Sequence, residues 1–224
     1  MQQAWIPLLL SLKVAGWATA LNLVLGVAAG FGLSRWRSGA RDVIDSLLML
    51  PLVMPPTVLG YYLLVVLGRR GVIGGWLDRF DIQLVFTWQG AVIASTVVAF
   101  PLVLKSARAA FEAVDPQLER AARTLGVSET AIFFRVTLPL AARGILAGGL
   151  LAFARALGEF GATLMIAGNL PGRTQTLSVA VYSAVQAGDD STANFLVLVT
   201  SVTCVVILLL AGRLVPQHTL LTSR

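Results

Sequence analysis

The sequence predicts an all-α integral membrane protein, and three observations carry that prediction. Of the 224 residues, 57% are hydrophobic and only 12% are charged, whereas soluble domains carry roughly 25% charged residues. Apolar runs long enough to cross the hydrocarbon core of a bilayer, about 20 residues each, recur along the whole chain. Lysine and arginine residues concentrate in the loops on one predicted side, which is typical of a multi-pass membrane protein.

Five membrane spans are predicted within a single transmembrane domain that covers residues 1–224. Their approximate ranges are 5–33, 43–67, 85–113, 136–166 and 195–214. Lys13 interrupts the first span and lies near enough to one end to snorkel. The second span contains Pro51, Pro55 and Pro56, which free backbone carbonyls that protein or water must satisfy. A moderately apolar segment at 176–185 is too short to span and is a candidate half-helix.

The distribution of basic residues predicts the orientation, because Lys and Arg are enriched in cytoplasmic loops. Eleven lie on one side: Arg35, Arg37, Arg41, Lys105, Arg108, Arg120, Arg123, Arg135, Arg143, Arg213 and Arg224. The other side holds four: Arg69, Arg70, Arg79 and Arg173. The N-terminus is therefore expected outside and the C-terminus inside, and the long loop after the third span is expected to face the cytoplasm.

The composition of the sequence and the motifs that it lacks exclude several function classes. The net charge of +6 is explained by the orientation of the spans and lipid contact, so no nucleic-acid partner is expected. The single cysteine, Cys204, lies in an apolar run as a small hydrophobe, and the single histidine, His218, lies in the tail. The sequence has no phosphate-binding Gly-rich loop, metal-ligand spacing or catalytic triad. We therefore expect no enzyme activity, no catalytic residue, no metal and no cofactor.

The cytoplasmic loop contains a short amphipathic helix. Asp115 and Pro116 indicate its start, and Gly126 indicates its end. Between them an apolar stripe recurs at helical spacing, formed by Leu118, Ala121, Ala122 and Leu125. Two interpretations stay open on these features. The helix either lies on the lipid surface or inserts its stripe into a groove on a cytoplasmic partner.

The same loop carries a pattern found in a known family. Ala121 and Ala122 are followed after three residues by Gly126 and, after nine more, by Val136-Thr-Leu-Pro139. This resembles the EAA loop of ABC importer permeases, where the order is Glu-Ala-Ala, three residues, Gly, nine residues and Ile-x-Leu-Pro. Arg120 stands at the usual Glu position, with Glu119 one place earlier. The resemblance implies a set of ATPase-coupling residues: Glu119, Arg120, Ala121, Ala122, Gly126, Leu138 and Pro139, within a coupling loop at 115–139.

Further segments resemble molybdate permeases along nearly the whole chain, at 50–56, 67–71, 118–126 and 153–163. The resemblance implies the type I ABC importer permease fold and uptake of molybdate by alternating access. It also implies a homodimer of two permease copies, two cytoplasmic ATP-binding subunits that hydrolyse ATP, and an extracytoplasmic molybdate-binding protein. The location that it implies is the cytoplasmic (inner) membrane of a prokaryote.

Polar residues and helix breakers inside the spans are candidates for the translocation pathway or its gate. Arg155 and Glu159 are four residues apart and can pair on one helix face. They form either a structural ion pair or a positive element of an anion pathway. The remaining candidates are Pro55, Pro56, Thr57, Ser95, Thr96 and Gly161.

Two rivals to the molybdate hypothesis stay open. The cargo can instead be another tetrahedral dianion, tungstate or sulfate, since pocket chemistry read from sequence does not separate them. A self-sufficient secondary transporter or channel is a rival from another class. Such a protein is expected to show inverted repeats with paired broken helices, and the sequence shows no internal repeat.

Overall fold

The computed structural model describes residues 2–36 and 38–214, and this part of the chain folds into helices without a strand. The long helices are α1 (Gln2–Arg35), α5 (Trp88–Glu112), α8 (Leu138–Leu157) and α11 (Asp190–Leu214). The shorter ones are α2 (Ala40–Val53), α3 (Pro56–Leu67), α4 (Val72–Asp78), α6 (Pro116–Thr124), α7 (Glu129–Ile132), α9 (Gly161–Ala167) and α10 (Leu177–Gln186). Four helices are long and apolar enough to cross a membrane, or five if α2 and α3 form one bent span. The predicted all-α membrane fold is confirmed.

Three residues named in the orientation and the tail lie outside the described ranges. They are Arg37, His218 and Arg224. The side chain of Arg213 is likewise outside them.

Helix α5 is the centre of the bundle because α1 and α8 both pack against it through glycines four residues apart. A Cβ atom at Gly26 or Gly30 of α1 would lie within 2.9 Å of α5 atoms. On the other flank, Gly144 and Gly148 of α8 face α5, and a Cβ at Gly144 would lie 2.7 Å from the Cβ of Ala110. Small residues at this spacing let membrane helices approach closely, so both neighbours lie almost directly on the backbone of α5.

The second predicted span is two helices rather than one. Helices α2 and α3 meet at an angle of 109°. A residue that precedes a proline is driven out of the helical region by contact with the proline ring. Met54, before Pro55, is accordingly extended (φ −70°, ψ 142°), and Pro55 is itself non-helical before Pro56 begins α3. Pro55 and Pro56 therefore separate two helices, whereas Pro51 stays inside α2.

The fourth predicted span is also interrupted. Helix α8 ends at Leu157, three residues intervene, and the short α9 follows. The Glu159 carboxylate accepts a hydrogen bond from the backbone N–H of Ala162 at 2.9 Å, so it caps the start of α9. After α9 the chain turns and forms α10, which corresponds to the segment predicted as a half-helix.

The two ends of the bundle are chemically distinct. The hydroxyl of Ser11, near the start of α1, accepts a hydrogen bond from the N–H of Leu177 at 2.8 Å. This contact holds α10 at the N-terminal end of α1. At the opposite end, Arg35 closes α1 beside the loop that follows α5. Helix α10 and the loop after α5 thus lie at opposite ends of the bundle, as the orientation predicted from charge requires.

Candidate docking loop and helix breaks

The amphipathic helix predicted in the cytoplasmic loop is α6, and its local chemistry explains its ends. The Asp115 carboxylate accepts a hydrogen bond from the N–H of Gln117 at 2.8 Å, and Pro116 occupies the first turn. At the other end Gly126 has φ +75°, a conformation that L side chains rarely adopt. Its N–H bonds the carbonyl of Arg123, and the next N–H bonds the carbonyl of Ala122. The predicted start and stop signals are both confirmed.

The burial pattern of α6 is the reverse of that of an ordinary surface helix. Leu125 is 81% exposed and Leu118 is 47% exposed. Ala121, in the same stripe, is also exposed, and Ala122 is half-buried. The one buried residue of the helix is the acidic Glu119, which is 2% exposed. Helix α6 thus turns its acidic residue towards the protein and most of its apolar stripe outwards.

Glu119 is buried because its carboxylate is paired. Arg35, at the end of α1, bonds both carboxylate oxygens with its two terminal nitrogens. The hydroxyl of Thr137 donates a further hydrogen bond to Oε1 at 2.7 Å. The Arg35 guanidinium holds the pKa of Glu119 below its usual value, the hydrogen bond from Thr137 acting in the same direction and burial opposing both. Arg120, at the family's Glu position, is exposed.

The second half of the loop returns to the membrane without a break. The sequence predicts a short helix at about 128–136, whereas the structure has α7 followed by a π-helical turn, Phe133–Thr137, that runs directly into α8. Leu138 is half-buried and packs in an apolar cluster with Phe111 and Ile145. Pro139 is exposed in the first turn of α8. Helix α7 is therefore joined to α8 by continuous helical backbone.

The two interrupted spans meet at their breaks. A Cβ at Gly161, the first residue of α9, would lie 3.1 Å from the Cβ of Pro56 and 3.2 Å from the N of Thr57. Thr57 and Pro55 are exposed on the surface of the described chain. The structure thus brings four of the predicted pathway residues to one place: Pro55, Pro56, Thr57 and Gly161.

Arg155 and Glu159 form the ion pair that their spacing predicts. The guanidinium Nη1 lies 2.6 Å from Oε2 of Glu159. The side chain of Glu159 is 1% exposed and that of Arg155 is 34% exposed. Because the second oxygen of Glu159 caps α9, the pair joins the end of α8 to the start of α9 across the break.

The other pathway candidates are not at this surface. Ser95 is fully buried within α5, and Thr96 is nearly so, its hydroxyl donating to the carbonyl of Val92 at 2.7 Å. Both therefore face the interior of the bundle. In the outer loop Arg69 lies 3.5 Å from Asp78.

A multi-pass helical bundle with an exposed amphipathic helix between two of its spans agrees with the resemblance to the membrane subunits of transport systems. The chain belongs to the family described as binding-protein-dependent transport system inner membrane component, whose model matches residues 22–218. The family and the apolar helices make it a multi-pass protein of the inner membrane.

Curated relatives carry closely similar sequences. The molybdenum transport system permease protein ModB of Escherichia coli K12 is 46% identical over 209 residues, which is 92% of this chain and 91% of the relative. ModB of Haemophilus influenzae is 45% identical over 188 residues, covering 83% of this chain and 82% of the relative. The sulfate transport system permease protein CysT of Escherichia coli K12 is 34% identical over 177 residues, which is 79% of this chain and 64% of that protein.

Solved structures share the fold at low sequence identity. The MetNI methionine ABC transporter, in an inward-facing form, matches 96% of this chain and 95% of its own with a TM-score of 0.75 and 18% identity. A bacterial ABC transporter that imports alginate matches 98% of this chain and 81% of its own with a TM-score of 0.76 and 15% identity. The fold is therefore that of an ABC importer permease.

Proposed function

We propose that this chain is the permease subunit of an ABC importer that carries molybdate into the cytoplasm by alternating access. ATP is hydrolysed by two separate cytoplasmic subunits, and an extracytoplasmic binding protein delivers the anion. The support for molybdate is the high identity to ModB proteins over nearly full length. The permease itself binds no ATP and carries no catalytic group.

The assignment of an ATP-binding partner rests on one observation: the loop around α6 exposes its leucines and buries Glu119. An exposed Leu125 in a cytoplasmic loop leaves apolar area in water, which costs roughly 25 cal/mol per Å². A groove on an ATP-binding subunit that accepts the stripe would remove that cost, in the helix-in-groove mode of recognition. Closure of the two motor subunits on ATP would then displace α6, and α7 with the π-helical turn would pass the movement into α8.

A second copy of the chain completes the membrane part in this proposal. Helix α2 contains no buried residue, although it is predominantly apolar. Val43 and Val53 are 62% and 82% exposed, and Tyr61 and Tyr62 of α3 are each 55% exposed. Lipid covers part of this surface. The paired breaks at Pro56 and Gly161 lie beside it, so a dimer that packs through α2 and α3 would line its pathway with them.

The docking role predicts the behaviour of an Ala121→Asp variant. A carboxylate in the middle of the stripe would be buried without a partner, so the affinity for the ATP-binding subunit should fall at least about 30-fold, or about 2 kcal/mol. Detergent pull-down of the tagged permease, with identification of the bound subunits, measures this. Ala113→Asp is the matched control, because Ala113 is exposed just before α6 and outside the stripe. Stable co-purification of the ATPase with the Ala121→Asp variant would refute the docking role of α6.

The cargo is tested by uptake into vesicles that contain the complete complex and its binding protein. Labelled molybdate should accumulate only with ATP. Excess tungstate should compete and excess sulfate should not. Competition by sulfate comparable to that by molybdate would transfer the assignment to sulfate, which the resemblance to CysT makes the second candidate. Anion flux through the permease alone, without ATP or partner subunits, would instead favour a self-sufficient transporter.

A further inference from the structure

A cluster of side chains, here called the loop anchor, holds the docking helix to the membrane bundle. It consists of Glu119 with Arg35 and Thr137, and of three aromatic residues, Phe31, Phe111 and Phe133. Helix α6 packs mainly on α7 and the π-helical turn, and Glu119 is its one buried residue. The attachment of α6 to the bundle therefore depends largely on this carboxylate.

The polar half of the anchor is fully occupied. Both oxygens of Glu119 bond Arg35, and one of them also accepts the hydroxyl of Thr137. Arg–carboxylate pairs that use two parallel hydrogen bonds set orientation as well as distance. Arg35 closes α1, and Thr137 is the last residue of the π-helical turn. One carboxylate thus ties α6 to α1 and to the segment that enters α8.

The three phenylalanines of the loop anchor lie beside the Glu119–Arg35 pair. The ring centroid of Phe31 is 5.2 Å from that of Phe111 and 4.7 Å from that of Phe133. Edge-to-face pairs at such distances contribute beyond their buried area. The guanidinium carbon of Arg35 lies 5.3 Å from the centroid of Phe31. The rings join α1, α5 and the π-helical turn, so the charged and aromatic halves fasten the same elements.

The loop anchor includes residues of the π-helical turn that connects α7 to α8. Such turns are rare and occur often at functional sites. Here the turn is held at both ends, because Phe133 is in the aromatic group and Thr137 bonds Glu119. Loss of the Glu119 contact would remove the hydrogen-bonded link between α6 and the Thr137 end of this turn.

We infer that Glu119 is a positioning residue that faces the bundle rather than the ATP-binding subunit. It transmits the ATP-driven displacement of α6 to the membrane helices by a second route. One route follows the backbone from α6 through the π-helical turn to α8. The other runs from Glu119 through Arg35 to α1, which packs along the central α5. This inference rests on the proposed function, and it names the residue of the coupling loop that converts docking into movement.

The test separates docking from coupling in the assembled complex. Glu119→Gln keeps the size of the side chain and removes its charge. The variant should still co-purify with the ATP-binding subunits and hydrolyse ATP, whereas the number of anions imported per ATP should fall about tenfold, within the usual range of coupling between sites. Asp78→Asn is the control, because Asp78 is an exposed carboxylate of the outer loop, paired with Arg69, and lies outside the coupling loop. That control should leave the import ratio unchanged.

A charge exchange and a distance measurement make the test independent of folding losses. Arg35→Glu combined with Glu119→Arg should recover a substantial part of the import ratio that either single variant loses. Spin labels at Gly32 and Thr124, in a Cys204→Ser background and with labelled permease diluted into an excess of unlabelled copies, report the distance within one protomer. That distance should be narrowly distributed with Glu119 present and broadly distributed with Glu119→Gln.

The outcomes separate a failure of the proposed function from a failure of the role inferred for Glu119. If the unaltered complex imports no anion with ATP, the proposed function fails, while the label distances still report on the anchor. If the unaltered complex works and Glu119→Gln imports normally, the inference is overturned. It is also overturned if Glu119→Gln loses the ATP-binding subunits in proportion to its loss of uptake, because Glu119 would then be a docking residue.

Discussion

A Gly60→Leu variant is expected to lose the folded membrane domain. Gly60 lies in α3 where that helix crosses α9, and a Cβ there would lie 2.7 Å from the Cβ of Met165 and 2.8 Å from the Cα of Ala162. The second contact is with backbone, which a rotamer change does not relieve. Overpacking of a core costs about 1–3 kcal/mol and sometimes more, and we expect the upper end or beyond here.

The measurement is the thermal unfolding midpoint in detergent together with the size-exclusion profile. Gly16→Leu is the control, since Gly16 is also a glycine in an apolar helix, but a Cβ there would have no heavy atom of another element within 4 Å. The control should elute and unfold like the unaltered protein. Equal unfolding midpoints for the two variants would show that α3 and α9 are not packed as described.

An Arg155→Leu variant is expected to be much less stable than a Glu159→Gln variant. Removing the arginine leaves a buried carboxylate without its counter-charge, and breaking a buried pair in this way costs about 3–5 kcal/mol. Glutamine at position 159 can still accept the hydrogen bond from the N–H of Ala162. It leaves Arg155, which is one-third exposed, able to extend its charge towards water.

The double variant, Arg155→Leu with Glu159→Gln, decides what the pair is for. It contains no buried charge at this break, so its unfolding midpoint should return close to that of Glu159→Gln. Normal anion uptake by the double variant would make the pair structural, a joint between α8 and α9. Restored stability with uptake still lost would place the arginine in the anion pathway. An Arg155→Leu variant as stable as Glu159→Gln would contradict the buried pair itself.

Much of the fold was predictable because membrane spans leave strong local signals. Apolar length located the long helices, whereas the cytoplasmic side indicated by the basic residues stays a prediction. Asp115, Pro116 and Gly126 act through their own backbone neighbours, so the ends of α6 followed from the sequence. The spacing of Arg155 and Glu159 likewise predicted their pairing, since residues four apart share a helix face.

The helix breaks and the loop anchor were not predicted from the sequence, because they depend on contacts between distant parts of the chain. Hydropathy does not register a bend, so the range 43–67 looked continuous although Pro55 and Pro56 lie within it. The partners of Glu119 are 84 and 18 residues away along the chain, and no local pattern connects them. The paired glycines of α1 and α8 were detectable, because Gly-x-x-x-Gly in an apolar helix indicates a close helix contact. That signal would have identified α1 and α8 as helices with a close neighbour.

The outward-facing leucines of α6 also bear on the fate of a subunit made in excess. Leu118 and Leu125 are 47% and 81% exposed, and in the proposed complex they stay in contact with the cytosol until an ATP-binding subunit covers them. Exposed apolar side chains of this kind are what chaperones and quality-control proteases recognise in incomplete assemblies. Balanced synthesis of the membrane and motor components would therefore protect the permease, and its abundance in the cell would follow the supply of its partner.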